Sequence, residues 1–158
     1  MDQGLWSRAM ARKKLLPPTY FVAALAAMVV LHYLLPVVQI IPSPYHYLGV
    51  APIVAGVLLN IWADRYFKRS QTTVKPFEES SHLIEAGPFR FSRHPMYLGL
   101  LLILAGAFIL LGSLGPLVVV LAFVWLIATQ FVQVEERMLE ARFGDPYRRY
   151  QTRVRRWL

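Results

Sequence analysis

Apolar residues fall into two long blocks from which every formal charge is missing. Between Lys14 and Asp64 there are 49 residues without Asp, Glu, Lys or Arg, and between Arg93 and Glu135 there are 41 more. A bilayer core about 30 Å thick is crossed by roughly 20 helical residues, so each block holds two crossings and a turn. The pattern predicts an all-α, polytopic membrane protein with four transmembrane helices. The first runs from about Thr19 to Ile41, carrying His32 and Pro36, and the second from about Tyr47 to Phe67. Pro42-Ser43-Pro44 marks the connection between them, because turn formers interrupt the apolar run there. Pro95 suits a first helical position, which starts the third helix and carries it to Leu111, about 25 Å and the shortest of the four. Gly112-Ser113-Leu114-Gly115-Pro116 then turns the third and fourth helices into a hairpin, and the fourth continues past Val134 as a charged extension, helical to about Arg142. Residues 68 to 94, with Glu78, Glu79, Ser80 and Ser81, form a polar connection longer than a turn.

Composition supports this reading. Hydrophobic residues make up 56% of the 158 and charged residues only 16%, against roughly 25% charged in soluble domains. Absence of cysteine removes disulfides, thiol nucleophiles and thiolate metal sites. The net charge of +8 could suggest nucleic acid, but the placement of the charge argues otherwise. Four basic residues precede the first helix, six lie between the second and third, and seven follow the fourth, which accounts for all 17. Both remaining connections are uncharged, so the positive-inside bias puts both termini and the long loop on the cytoplasmic side. Arg148, Arg149, Arg153, Arg155 and Arg156, next to a span, serve topology and anionic headgroups rather than nucleic acid. Pro17 and Pro18 break the apolar region that a signal peptide would need.

Groups capable of chemistry collect at the cytoplasmic edge. Arg93 and His94 stand just before Pro95, where free backbone N–H groups and the positive end of the helix dipole form a site for a carboxylate or phosphate. The same residues also suit plainer roles: Arg93 as a topology anchor, His94 as a solvated cap, Tyr97 as a belt residue and Gly99 as a packing residue. Glu135-Glu136 ends the uncharged fourth helix. Thr129, Gln133, Glu136 and Glu140 recur at helical spacing as one polar stripe, and a paired carboxylate there could hold an ammonium or sulfonium or simply pair with arginines. The lone histidines His32, His46 and His82 have no partner at metal spacing, and no metal is assigned. Neither a G-x-G-x-x-G nor a P-loop pattern is present.

Taken together, Leu83-Ile84, Gly87-Pro88-Phe89, Arg93-His94-Pro95-Met96-Tyr97-Leu98-Gly99, Glu135-Glu136, Leu139, Phe143-Gly144, Tyr147, Tyr150 and Arg153-Val154 resemble the isoprenylcysteine carboxyl methyltransferase and phospholipid methyltransferase superfamily of integral membrane enzymes. The resemblance covers about residues 70 to 154 and implies one membrane domain over residues 1–158 with its cofactor-binding core in that stretch. It implies S-adenosylmethionine as cofactor and a lipid-like or small hydrophobic acceptor entering from the bilayer. It further implies cofactor contacts from Leu83, Gly87, His94, Pro95, Tyr97, Leu98, Gly99, Glu135 and Glu136. Catalytic roles would fall to Glu136, as a base where the acceptor needs one, and to Arg93 and Arg153, as holders of an anionic acceptor. Arg155 stands where the prenylcysteine enzymes usually have proline, which bears on the acceptor more than on the cofactor. An NADPH-dependent membrane sterol or steroid reductase and a non-enzymatic four-helix scaffold are the competing readings.

Overall fold

The computed structural model describes residues 16–34, 38–69 and 83–158. Six α-helices follow in order among them: α1 (Pro17–Leu34), α2 (Val50–Arg69), α3 (Pro95–Leu111), α4 (Gly115–Ile127), α5 (Gln133–Phe143) and α6 (Asp145–Arg153). A 3-10 turn at Tyr45–Gly49 leads into α2, and a π-helical turn at Ala128–Val132 joins α4 to α5 without a break. Three helical stretches are long and apolar enough to cross a membrane: Pro17–Leu34, Tyr45–Arg69 and Gly115–Phe143. α3 is equally apolar but has 17 residues.

These helices are hydrophobic all round, so polarity alone does not choose the inward face. Residue size and fit decide it. α1 packs on α4, α2 on α3, and α3 on α4. One core joins Ala24 and Met28 of α1, Tyr97 and Leu104 of α3, Phe123 and Ile127 of α4, and Phe131 and Val132 of the π turn. Val22, Leu58, Val118, Leu121 and Trp125 face outward in spite of their size, the arrangement expected where lipid replaces water. The α2–α3 contact is glycine against glycine. Added at Gly56, a Cβ would stand 2.5 Å from the carbonyl oxygen of Gly99, and Gly49 and Gly106 face each other in the same way. Without side chains at those points the two backbones approach as closely as small-residue membrane pairs do.

Two boundaries differ from the sequence reading. The first helix is described to Leu34 and does not reach Ile41, and Pro36 lies outside the described residues. Residues 38–41 run extended instead, because the α3–α4 turn offers them backbone partners: Ile40 N–H donates to Gly112 O at 2.8 Å and Leu114 N–H to Val38 O at 3.1 Å. Gly112, at φ 68°, caps α3 in the left-handed conformation that frees this carbonyl. His32 is tied to the same turn, its Nδ1 lying 2.7 Å from Ser113 Oγ. The second difference lies beyond the fourth helix, where the sequence reading has no further element. Gly144 (φ 57°) breaks the chain direction after Phe143, and α6 folds back. Of the polar connection, Glu78, Glu79, Ser80, Ser81 and His82 lie outside the described residues.

Gly56→Ala forces backbone apart from backbone, which costs about 1–3 kcal/mol where overpacking cannot relax. We expect the melting temperature in detergent to drop by roughly 3–9 °C, with no change for Val118→Ala on the outward face. Equal melting curves for the two variants would mean that the α2–α3 approach is not tight.

Candidate active site

The loop before α3 is shaped by its glycine and its rings. Gly87 takes φ 63°, and a Cβ there would meet the ring of Tyr66. The 3-10 turn Gly87–Arg90 follows, and it buries Pro88 and Phe89, with the Phe89 ring edge-on to Phe67 at 5.0 Å. Ser92 then fixes the entry to α3: its Oγ accepts from His94 N–H at 3.2 Å. His94 stands at the N-cap of α3, buried, with Pro95 in the first helical position where a missing N–H costs nothing.

Opposite this loop stands the start of α5. His94 lies between its two carboxylates, with Nδ1 3.5 Å from Glu135 Oε2 and Nε2 3.3 Å from Glu136 Oε1. Burial opposes charge on the ring, but hydrogen bonding and attraction to Glu135 and Glu136 outweigh it and raise the pKa above the ordinary 6.5. An imidazolium is also the form that can donate from both nitrogens at once. Tyr97, one turn along α3, donates from its hydroxyl to Glu135 Oε1 at 2.5 Å. Glu136 is nearly enclosed, at 7% exposure, and its Oε1 receives two more groups: Arg93, with NH1 at 3.3 Å, and Arg156, with Nε at 3.1 Å. Its other oxygen accepts from Arg156 NH2 at 2.6 Å.

The expected stripe of Thr129, Gln133, Glu136 and Glu140 does not form one face. Gln133 is exposed and Glu136 buried, and the π turn at Ala128–Val132 shifts Thr129 out of register with the positions beyond it. Thr129 bonds back to Trp125 O at 2.8 Å, and Glu140 pairs with Arg148 at 2.9 Å. The pairing of Glu136 with arginines is present, so an acceptor proton could reach it only if a donor moved away.

α6 braces the loop from outside. Tyr147, Tyr150 and Val154 form a second buried cluster against Leu83, Leu139 and Phe143, and the Tyr150 hydroxyl donates to Phe89 O at 2.7 Å. The Phe-Gly-x-x-Tyr-x-x-Tyr pattern therefore turns the chain at glycine and aims two rings inward. After α6 the backbone pairs with the loop: Arg93 N–H donates to Arg155 O at 3.1 Å, and Ser92 Oγ–H to Arg156 O at 3.2 Å. Trp157 packs on the helix core, its ring 6.4 Å from His94. Arg93 Nε and the Tyr147 hydroxyl are buried without a well-formed hydrogen bond among the described residues.

The structure thus brings together Arg93, His94, Pro95, Tyr97, Glu135 and Glu136, drawn from two stretches with 37 residues between them in sequence. Leu83 sits with the tyrosine cluster, and Gly87 shapes the loop. Gly99 faces Asn60 of α2, in the helix contact. Leu98 N–H closes the first turn on His94 O at 3.0 Å. Arg153 pairs with Glu85 at 2.5 Å, is largely exposed, and is not among the partners of Glu136. Sequence reasoning did not single out Ser92, Arg156 or Trp157 for the site. Arg156 was one of several arginines in a basic stretch, and the one cue setting it apart is the tryptophan beside it. No group of His, Asp and Glu able to hold a metal occurs among the described residues.

The phospholipid methyltransferase family model matches residues 44–146, from the 3-10 turn before α2 into α6. An uncharacterised protein of Haemophilus influenzae is 46% identical over 63 residues, 40% of this chain and 100% of that protein. The protein-S-isoprenylcysteine O-methyltransferase of Saccharomyces cerevisiae is 34% identical over 82 residues, 51% of this chain and 34% of the yeast protein. No solved structure matches significantly. With most of its helices and both halves of the site inside the matched region, the chain belongs to the phospholipid methyltransferase family.

Proposed function

We propose that the protein is an S-adenosylmethionine-dependent integral membrane methyltransferase acting on a lipid-like or small hydrophobic acceptor at the cytoplasmic interface. The observation that carries this reading is the meeting of the Arg93–Tyr97 entry to α3 with Glu135 and Glu136 at the charged end of a helix that is otherwise apolar. Family membership supports the transfer chemistry. The charge distribution supports four spans, with the third and fourth as a hairpin and both termini on the cytoplasmic side.

The residues present suit the cofactor. Glu135 is the more open of the two carboxylates, its side chain 21% exposed, and the Tyr97 ring stands beside it, so the pair can attract a cation electrostatically and through the ring face. Arg93, whose Nε is buried next to the Tyr147 hydroxyl without a well-formed hydrogen bond among the described residues, has a donor to offer a carboxylate or phosphate oxygen. When bound, S-adenosylmethionine supplies a methyl group on a positively charged sulfur, and its transfer to an anionic acceptor neutralises both partners, a change favoured where water is excluded. Within this arrangement Glu135 and Tyr97 serve the cationic side, Arg93 holds an anionic group, and His94 keeps the two carboxylates apart and in place. Glu136, with both oxygens engaged, acts as the anchor of the site. Pro95, Leu98 and Gly99 set where α3 begins and how it seats on α2; Leu83 and Gly87 place the loop. Arg153 belongs to the rim, where it meets an acceptor headgroup.

Calorimetry in detergent tests the cofactor. S-adenosylmethionine is expected to bind the wild type, with affinity reduced about tenfold or more in Glu135→Gln, the loss of one charged contact, and unchanged in Leu121→Ala on the lipid face. Binding of NADPH in its place would overturn the reading.

A pH dependence follows from His94. Its raised pKa means that the folded state holds the proton more tightly than the unfolded chain does, so the stabilisation is complete below the ordinary value of 6.5 and is lost as pH rises through the raised value. The melting temperature should fall across that rise, and the slope should flatten in His94→Gln. A His94→Gln curve parallel to the wild type would show that the imidazolium does not link the two glutamates.

A further inference from the structure

Glu136 poses a packing problem that the residues of the predicted site do not solve. Its carboxylate is nearly enclosed, and both Arg93 and His94 approach the same oxygen, Oε1, each at 3.3 Å. Among the described residues, the group that reaches Oε2 is Arg156, at 2.6 Å, while its Nε holds Oε1 at 3.1 Å. Burying a charged oxygen with no donor is costly, so without Arg156 the carboxylate has to turn until Oε2 finds another partner. Turning carries Oε1 away from His94 and Arg93.

The stretch that carries Arg156 is pinned at successive residues. Val154 is buried in the tyrosine cluster, Arg155 O and Arg156 O accept from the α3 loop, and Trp157 packs on the helix core. A surface ion pair would contribute little, because long side chains lose entropy when held. Here the backbone is already fixed on both sides of the arginine, and its planar fork meets two oxygens, which an ammonium cannot do.

Resting on the methyl-transfer reading, we propose that Arg156 is a positioning residue: it grips both oxygens of Glu136 and thereby keeps that carboxylate facing His94 and Arg93 in the cofactor-binding arrangement. It acts through Glu136 and does not itself contact the ligand.

The test is a double-mutant cycle on the full chain in detergent, with S-adenosylhomocysteine affinity by calorimetry and the melting temperature measured for wild type, Arg156→Gln, Glu136→Gln and the double variant. Arg156→Gln and Glu136→Gln are each expected to weaken binding by about tenfold or more, with the double variant no weaker than Glu136→Gln alone. Arg156→Lys, a milder change that keeps the charge, is expected to recover part of the affinity. As a stability control, Ser113→Ala, at the α3–α4 turn, should lower the melting temperature and leave binding unchanged. Unchanged affinity in Arg156→Gln, losses that multiply in the double variant, or full recovery by lysine would each overturn the two-oxygen grip while leaving the methyltransferase reading standing. Failure of the wild type to bind S-adenosylhomocysteine would overturn that reading, and the role of Arg156 with it.

Discussion

A carboxylate enclosed at the end of an apolar helix must be met by donors on every open side, and Glu136 places that demand on the surrounding chain. Its partners come from two stretches far apart in sequence, Arg93 and His94 before α3 and Arg156 after α6. For both to arrive, α3 has to begin at Pro95 beside α5, and the chain leaving α5 has to double back. Gly144 allows the reversal, since its backbone (φ 57°) suits a residue without a side chain. The tyrosine cluster then seats α6 against the loop, through the bond from Tyr150 to Phe89 O. Loop, helix end and returning segment thus close around one negative charge, and removing any of the three leaves the others with unpaired polar groups.

The membrane-like part of the molecule contributes rigidity by different means. α2 and α3 lie against each other through Gly49, Gly56, Gly99 and Gly106, so α3 is held along its length before its N-terminal end meets α5. At the far end, Ser113 takes His32 as a partner, and Gln39 bridges to Ser113. A short helix clamped at both ends is a suitable mount for His94 and Tyr97, whose distances to Glu135 and Glu136 depend on where α3 starts.

Much of this was legible in the residues themselves. Charge-free blocks of the right length gave the apolar helices, and Pro95 and Gly112 bounded α3 where the structure has them, because proline and left-handed glycine act locally. The R-H-P-x-Y-x-G and E-E segments could be paired by resemblance, and their side chains do meet. Other features depend on contacts that a sequence pattern does not carry. Residues 38–41 look as apolar as the helix before them, and they leave it for backbone partners in a turn some 70 residues later. Arg156 reads as one more arginine in a basic stretch until the fold shows which carboxylate it faces.

The π turn illustrates the same limit and also explains how two adjacent glutamates come to differ. Buried positions along this helix step by four, Phe123, Ile127 and Phe131, then move on one residue to Val132 and step by four again to Glu136. In an unbroken α-helix the position four beyond Phe131 is Glu135, which would then be the enclosed carboxylate. One added residue hands that place to Glu136 and leaves Glu135 half-open beside Tyr97. A regular 3.6-residue reading cannot foresee this, since the turn is chosen by packing: Phe131 and Val132 are both buried in the core, with Tyr20 and Tyr97 set around Phe131. π turns often occur at functional sites. Here the irregular turn gives like residues unlike surroundings, one carboxylate enclosed by Arg93, His94 and Arg156 and its neighbour partly open beside Tyr97.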